Sequence, residues 1–72
     1  MGEYAGAVGR AIRTLREARG LTQEQLADLA GVHRTYVGSV ERGERNVTVE
    51  TLLRFAQALE VRPSDILSDA DR

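Results

Sequence analysis

Between Gln23 and Val40 the chain reads QEQLADLAGVHRTYVGSV, with apolar residues at Leu26, Ala27, Ala30, Val32, Val37 and Val40 and a lone glycine, Gly31, between two stretches of helical spacing. No other segment limits the fold so tightly. A sharp turn between two short helices needs backbone at positive φ, which glycine reaches without a Cβ clash. Where the two helices cross closely a small side chain is required, and Ala27 supplies it. The segment is expected as two packed helices turning at Gly31 and Val32, with the valines of the second facing inward.

The flanking sequence completes an all-α chain. Val8, Ala11, Ile12, Leu15 and Ala18 recur at helical spacing with Arg10, Arg13, Arg16 and Glu17 between them, which predicts an amphipathic helix over about 4–19. Gly20 ends it in a left-handed cap. Thr22 is the N-cap of a second helix, with Gln25 completing a capping box, and that helix runs to Ala30. A third helix is expected from about His33 to Arg42, stopped by Gly43. Glu44 to Val47 reads as a polar connection. Thr48 caps a fourth helix whose Val49, Leu52, Leu53, Phe55, Ala56 and Leu59 form a broad apolar face. Phe55, the only phenylalanine, is assigned to the core. Arg62 and Pro63 open a short fifth helix with Ile66 and Leu67 on its apolar side. The acidic stretch Ser68 to Arg72 is expected to fray, leaving a core of about residues 4–67.

With 72 residues the chain is expected to form a single domain, near the lower size at which one hydrophobic core folds unaided. It has no cysteine, so no disulfide helps, and a reducing cytoplasm is the expected compartment. No stretch approaches the ~20 apolar residues of a membrane span. One histidine, no cysteine, no glycine-rich phosphate loop and no convergent carboxylates argue against an enzyme, a metal site or a cofactor. The net charge of −1 argues at first against nucleic acid. Its distribution argues otherwise. Arg10 to Arg45 holds seven arginines against five acids, whereas Asn46 to Arg72 holds three against five. All ten basic residues are arginine, a side chain suited to bidentate contact with phosphate or guanine, although a GC-rich genome would also explain the bias.

The stretch LTQEQLADLAGVHRTYVGSVERGERNVTVETL resembles the Cro and C1-type repressors, also called the xenobiotic-response-element family, and in particular their small restriction-modification controller proteins. The resemblance spans about Arg10 to Leu67. It implies a compact five-helix, lambda-repressor-like domain built on a helix-turn-helix, and a sequence-specific transcriptional regulator that binds a palindromic operator as a homodimer. Expected partners are double-stranded DNA, a second copy of the chain and, for an activating role, RNA polymerase. No membrane or small-molecule ligand is expected. A different reading, a helical protein-interaction module such as an antitoxin-like partner or anti-repressor, stays open on the acidic balance.

With the third helix in the major groove, Arg34, Thr35, Gly38 and Ser39 point outward while Val37 and Val40 face the core. Arg34 suits guanine O6 and N7, and Thr35 a thymine methyl or a base donor. The resemblance adds Tyr36, whose counterpart is implicated in operator reading. Ser39 completes the base-contact candidates. Gln23, at the first turn of the second helix, is a phosphate candidate, as its family counterpart is. His33, Arg42, Arg45 and Asn46 join it beside the sugar-phosphate wall. Gly38 breaks helix propensity, through drift or to let the helix approach DNA closely. Val47 departs from relatives that carry proline there. Arg16 and Glu41 match positions that form a buried ion pair in some relatives, and the same pair is expected in this chain. Leu53, Val61, Ile66 and Leu67 are the dimer-interface candidates, with core packing as the competing role.

Overall fold

Backbone capping divides the chain where its local signals fall. The computed structural model describes residues 2–71, which form α1 (Gly2–Ala18), α2 (Gln23–Ala30), α3 (Arg34–Glu41), α4 (Val49–Leu59) and α5 (Pro63–Ala70). Thr22 Oγ1 accepts from the Gln25 N–H at 3.0 Å and Gln25 Oε1 accepts from the Thr22 N–H at 2.8 Å, the reciprocal box that starts α2. Thr48 Oγ1 caps α4 by accepting from the Thr51 N–H at 3.1 Å. Gly31, at φ 72°, is the left-handed turn between α2 and α3. His33 and Arg42 are the caps of α3 rather than members of it.

The helices share one core. Ala11 and Ile12 of α1 meet Leu26, Ala27 and Ala30 of α2, Val37 and Val40 of α3, Leu52, Phe55, Ala56 and Leu59 of α4, and Ile66 of α5. Burying each large aliphatic or aromatic member contributes about 1.5–3 kcal/mol. Helix α1 lies against α5 and α3, and α2 lies against α3 and α4. The approach of α1 to α3 is backbone to backbone. A Cβ at Gly9 would collide with the carbonyl oxygen of Val40, and one at Gly43 would sit 3.0 Å from Cα of Gly6. Gly9 of α1 and Gly43 just after α3 thus set how closely the two helices approach.

Several sequence expectations change. Helix α1 begins at Gly2, and Ala18 at its end is exposed. Val49 is 75% exposed: as the first residue of α4 it precedes the turn at which that helix reaches the core. The expected frayed tail is a correction: α5 continues through Ala70, which packs against the core beside Ala7 and Ala11 of α1, so the last turn has a partner to bury against. Arg72 lies outside the described residues. Helix α4 ends without a glycine, on Glu60 at φ 58°. Arg19 holds that end by donating to the Leu59 carbonyl at 2.9 Å and pairing with Glu60 at 3.2 Å.

Candidate nucleic-acid interface

Helix α3 has a dry side and a wet side. Val37 and Val40 are fully buried, while Arg34 and Thr35 are exposed and Tyr36 and Ser39 are half-buried at the border. The tilt of α3 is fixed from behind. Arg16 Nε and Nη2 donate to Glu41 Oε2 and Oε1 at 2.7 and 3.1 Å, a bidentate pair buried between α1 and α3. Arg16 Nη1 also donates to the Leu21 carbonyl at 2.7 Å. The hydrogen bond to Glu41 is the main cause holding the Arg16 pKa above its ordinary value.

Gln23 is the third member of this network. Its Nε2 donates to Glu41 Oε1 at 2.9 Å, so one of its two amide hydrogens is engaged inside, on a residue that is otherwise exposed at the first turn of α2. Gln23, Arg34, Thr35 and Arg42 surround a shallow recess whose floor is Gly38. Gly38 is itself buried, which corrects the expectation that it points outward: a Cβ there would lie 3.1 Å from Arg42 Nη1 and 3.6 Å from Gln23 Oε1. The missing side chain makes room for Arg42 and Gln23 to lean over the helix.

A second recess is lined by Thr35, Tyr36, Ser39 and Arg45. The Tyr36 ring stacks on Phe55 with centroids 6.3 Å apart, and the Arg45 guanidinium sits 5.9 Å from the Tyr36 centroid. Tyr36 therefore joins the core to the wet side. Arg42 is exposed and donates to both carboxylate oxygens of Glu44 at 3.0 and 3.1 Å; this hydrogen bonding, then the charge of the partner, raises the Arg42 pKa and lowers that of Glu44. His33 is exposed and serves as N-cap, its Nδ1 accepting from the Thr35 N–H at 3.2 Å.

The structure gathers Gln23, His33, Arg34, Thr35, Tyr36, Ser39, Arg42 and Arg45 around α3. Asn46 stands apart, on the rim of an apolar groove of about 250 Å³ that Tyr4, Val8, Val49, Leu52 and Leu67 also line. Of the interface candidates, Leu53 and Leu67 are about half exposed and Val61 packs against the core. Ile66 is corrected: it is fully buried within its own chain, because α5 turns that residue into the space between α1 and α4. Sequence reasoning missed the Arg42–Glu44 pair, the Arg45–Tyr36 contact and the Gly9 approach. For the last, the spacing of Gly6 and Gly9 on one helical side was an available signal.

A short helix backed by buried valines, locked by an ion pair and presenting arginines with a first-turn glutamine beside it, is the reading unit of a helix-turn-helix DNA-binding regulator. The helix-turn-helix family, HTH_3, matches residues 12–66, and the chain belongs to that family of Cro/C1-type transcriptional regulators. It is 51% identical over 57 residues to the control protein C.SmaI of Serratia marcescens, covering 79% of this chain and 68% of that one. It is 38% identical over 60 residues to the control protein C.BamHI of Bacillus amyloliquefaciens, covering 82% and 74%. Among solved structures, the restriction-modification controller protein C.AhdI of Aeromonas hydrophila superposes with a TM-score of 0.84 at 47% identity, covering 86% of this chain and 94% of that chain.

Proposed function

We propose that this chain is a restriction-modification controller that binds an operator of twofold symmetry as a homodimer, one α3 in each major-groove half-site. The observation that carries the reading is the wet side of α3, where Arg34 and Thr35 stand exposed over buried Val37 and Val40. Arg34 reads guanine through O6 and N7, and Thr35, Tyr36 and Ser39 complete the base-facing edge. The second amide hydrogen of Gln23, the first-turn amides of α2, and Arg42 and Arg45 meet phosphate and set register. His33 flanks this set, and Asn46 would reach phosphate only from the rim of the apolar groove.

Tyr4, Val49, Leu53 and Leu67 leave apolar surface exposed away from α3, and a second copy covers it in this reading. One chain measures 27 × 22 × 21 Å, so two packed side by side are of the right size to bring their α3 helices about one turn of DNA, ~34 Å, apart. RNA polymerase is the partner through which an activating role acts. Selection of bound duplexes from a random pool tests the proposal. An inverted repeat is expected, with Arg34→Ala relaxing one position per half-site by about 1–3 kcal/mol and Gln23→Ala weakening all sequences alike. Affinity should fall with salt at a log-log slope of about −0.9 per phosphate neutralised. Absence of any preference among duplexes in dilute buffer overturns it.

A further inference from the structure

Besides the Tyr36 phenol, the outward edge of α3 carries two aliphatic hydroxyl groups, Thr35 and Ser39, and each of these has its single hydrogen committed within the protein. His33 Nδ1 accepts from the Thr35 N–H at 3.2 Å, which requires a lone pair on that nitrogen and places the ring hydrogen on Nε2. The same Nδ1 lies 2.8 Å from Thr35 Oγ1. With the ring hydrogen on Nε2, the tautomer in which Nδ1 can accept from the amide, the single Nδ1 lone pair is shared by the Thr35 N–H and the threonine hydroxyl hydrogen. One turn further on, Ser39 Oγ donates to the Tyr36 carbonyl at 2.9 Å. A hydroxyl has one hydrogen and two acceptor lone pairs, so both groups face a partner as acceptors alone. Arg34, Arg42 and Arg45, the charged groups of the same edge, are donors alone.

Resting on the reading of α3 as the groove helix, the geometry points to a fixed polarity at Thr35: it accepts from an exocyclic amine, adenine N6 or cytosine N4, and His33 is the positioning residue that imposes this. Those amines are the only donors on the major-groove edges, since guanine N7 and O6, adenine N7 and thymine O4 all accept. A free threonine hydroxyl rotates to suit either kind of edge and discriminates weakly. A hydroxyl held by His33 meets guanine or thymine acceptor to acceptor, a mismatch that excludes them as well as failing to bind them. Arg34 covers the opposite need as a donor to guanine. The choice of base opposite Thr35 thus depends on a residue that reads no base itself.

The test uses the full chain and the operator obtained from the random pool. Thr35→Val locates the base pair concerned, as the position at which selection relaxes. Replacing the amine-bearing base there by its analogue without the amine, purine for adenine or pyrimidin-2-one for cytosine, should weaken wild-type binding roughly three- to tenfold and leave Thr35→Val unaffected. Against four duplexes that differ only at this pair, His33→Ala should flatten the wild-type ranking, and His33→Asn, whose oxygen caps the helix and accepts the hydroxyl hydrogen, should restore it. A merely structural histidine would weaken all four duplexes by one factor and keep their ranking, which overturns the inference. So does a Thr35-dependent loss on replacing purine N7 by carbon with none on removing the amine, or selection that is indifferent to Thr35→Val. If wild type selects no sequence at all, the groove reading falls and this inference with it; the other outcomes sink this inference alone.

Discussion

Arg42 enters an encounter with DNA already partnered. Its two hydrogen bonds to Glu44 join exposed side chains, so a phosphate must displace a carboxylate to reach it. Glu44→Gln removes both the competitor and a negative charge facing the duplex. It should tighten binding by a factor of up to about five at low salt, the range of an exposed ion pair, as read by fluorescence anisotropy. The Glu44 pKa is lowered in the native state, chiefly by the Arg42 hydrogen bond, so its small contribution to stability is present above the ordinary carboxylate range and disappears as pH falls through the lowered native value. Urea midpoints of wild type and variant should therefore converge in acid. Glu41 behaves differently because it is buried between Arg16 and Gln23. Glu41→Gln leaves a buried guanidinium without its counter-charge, and should lower stability by about 3 kcal/mol and DNA affinity with it. Unchanged melting would show that the pair does not hold α3.

Helices α1 and α3 meet through glycine, which makes a paired test available. Gly9→Ala drives a methyl group into the Val40 carbonyl and should cost about 1–3 kcal/mol in urea unfolding while displacing α3. Gly6→Ala meets nothing nearer than Arg10 Nη1 at 3.5 Å, and should stabilise the helix by about 1 kcal/mol. The same contrast explains what could be read from sequence. Starts and turns were legible at Thr22 with Gln25, at Thr48, at Pro63 and at Gly31, because a cap or a positive φ is decided by residues a few places apart. The left-handed Glu60 was not, since the arginine that holds it is forty residues away. Acidic composition misplaced the end of α5, which is decided by the side of α1 it lies on. Around the site, the outward placement of Arg34 and Thr35 followed from periodicity, whereas the tie from Gln23 to Glu41 and the seat of Tyr36 between Phe55 and Arg45 arise only when separate helices meet.

Across the whole molecule, the two surfaces with unmet needs lie on different elements. The polar edge belongs to α3 and the residues after it, and the exposed large apolar residues Tyr4, Leu29, Val49, Leu53 and Leu67 belong to α1, α2, α4 and α5. Replacing Leu53 and Leu67 together by aspartate should leave the unfolding midpoint of the single chain nearly unchanged, because both are already half in water. Sedimentation equilibrium should show a dimer for wild type and a monomer for the double variant, with weaker operator binding at equal concentration. The chain has no tryptophan and only two tyrosines, and each surface holds one of them. Tyr4 stands on the apolar rim, while Tyr36 lies between Phe55 and the Arg45 guanidinium. Ultraviolet emission from the unlabelled protein is consequently two gauges in one: dilution should alter the light from the first, added duplex the light from the second, and exchanging either ring for phenylalanine should silence its own signal alone.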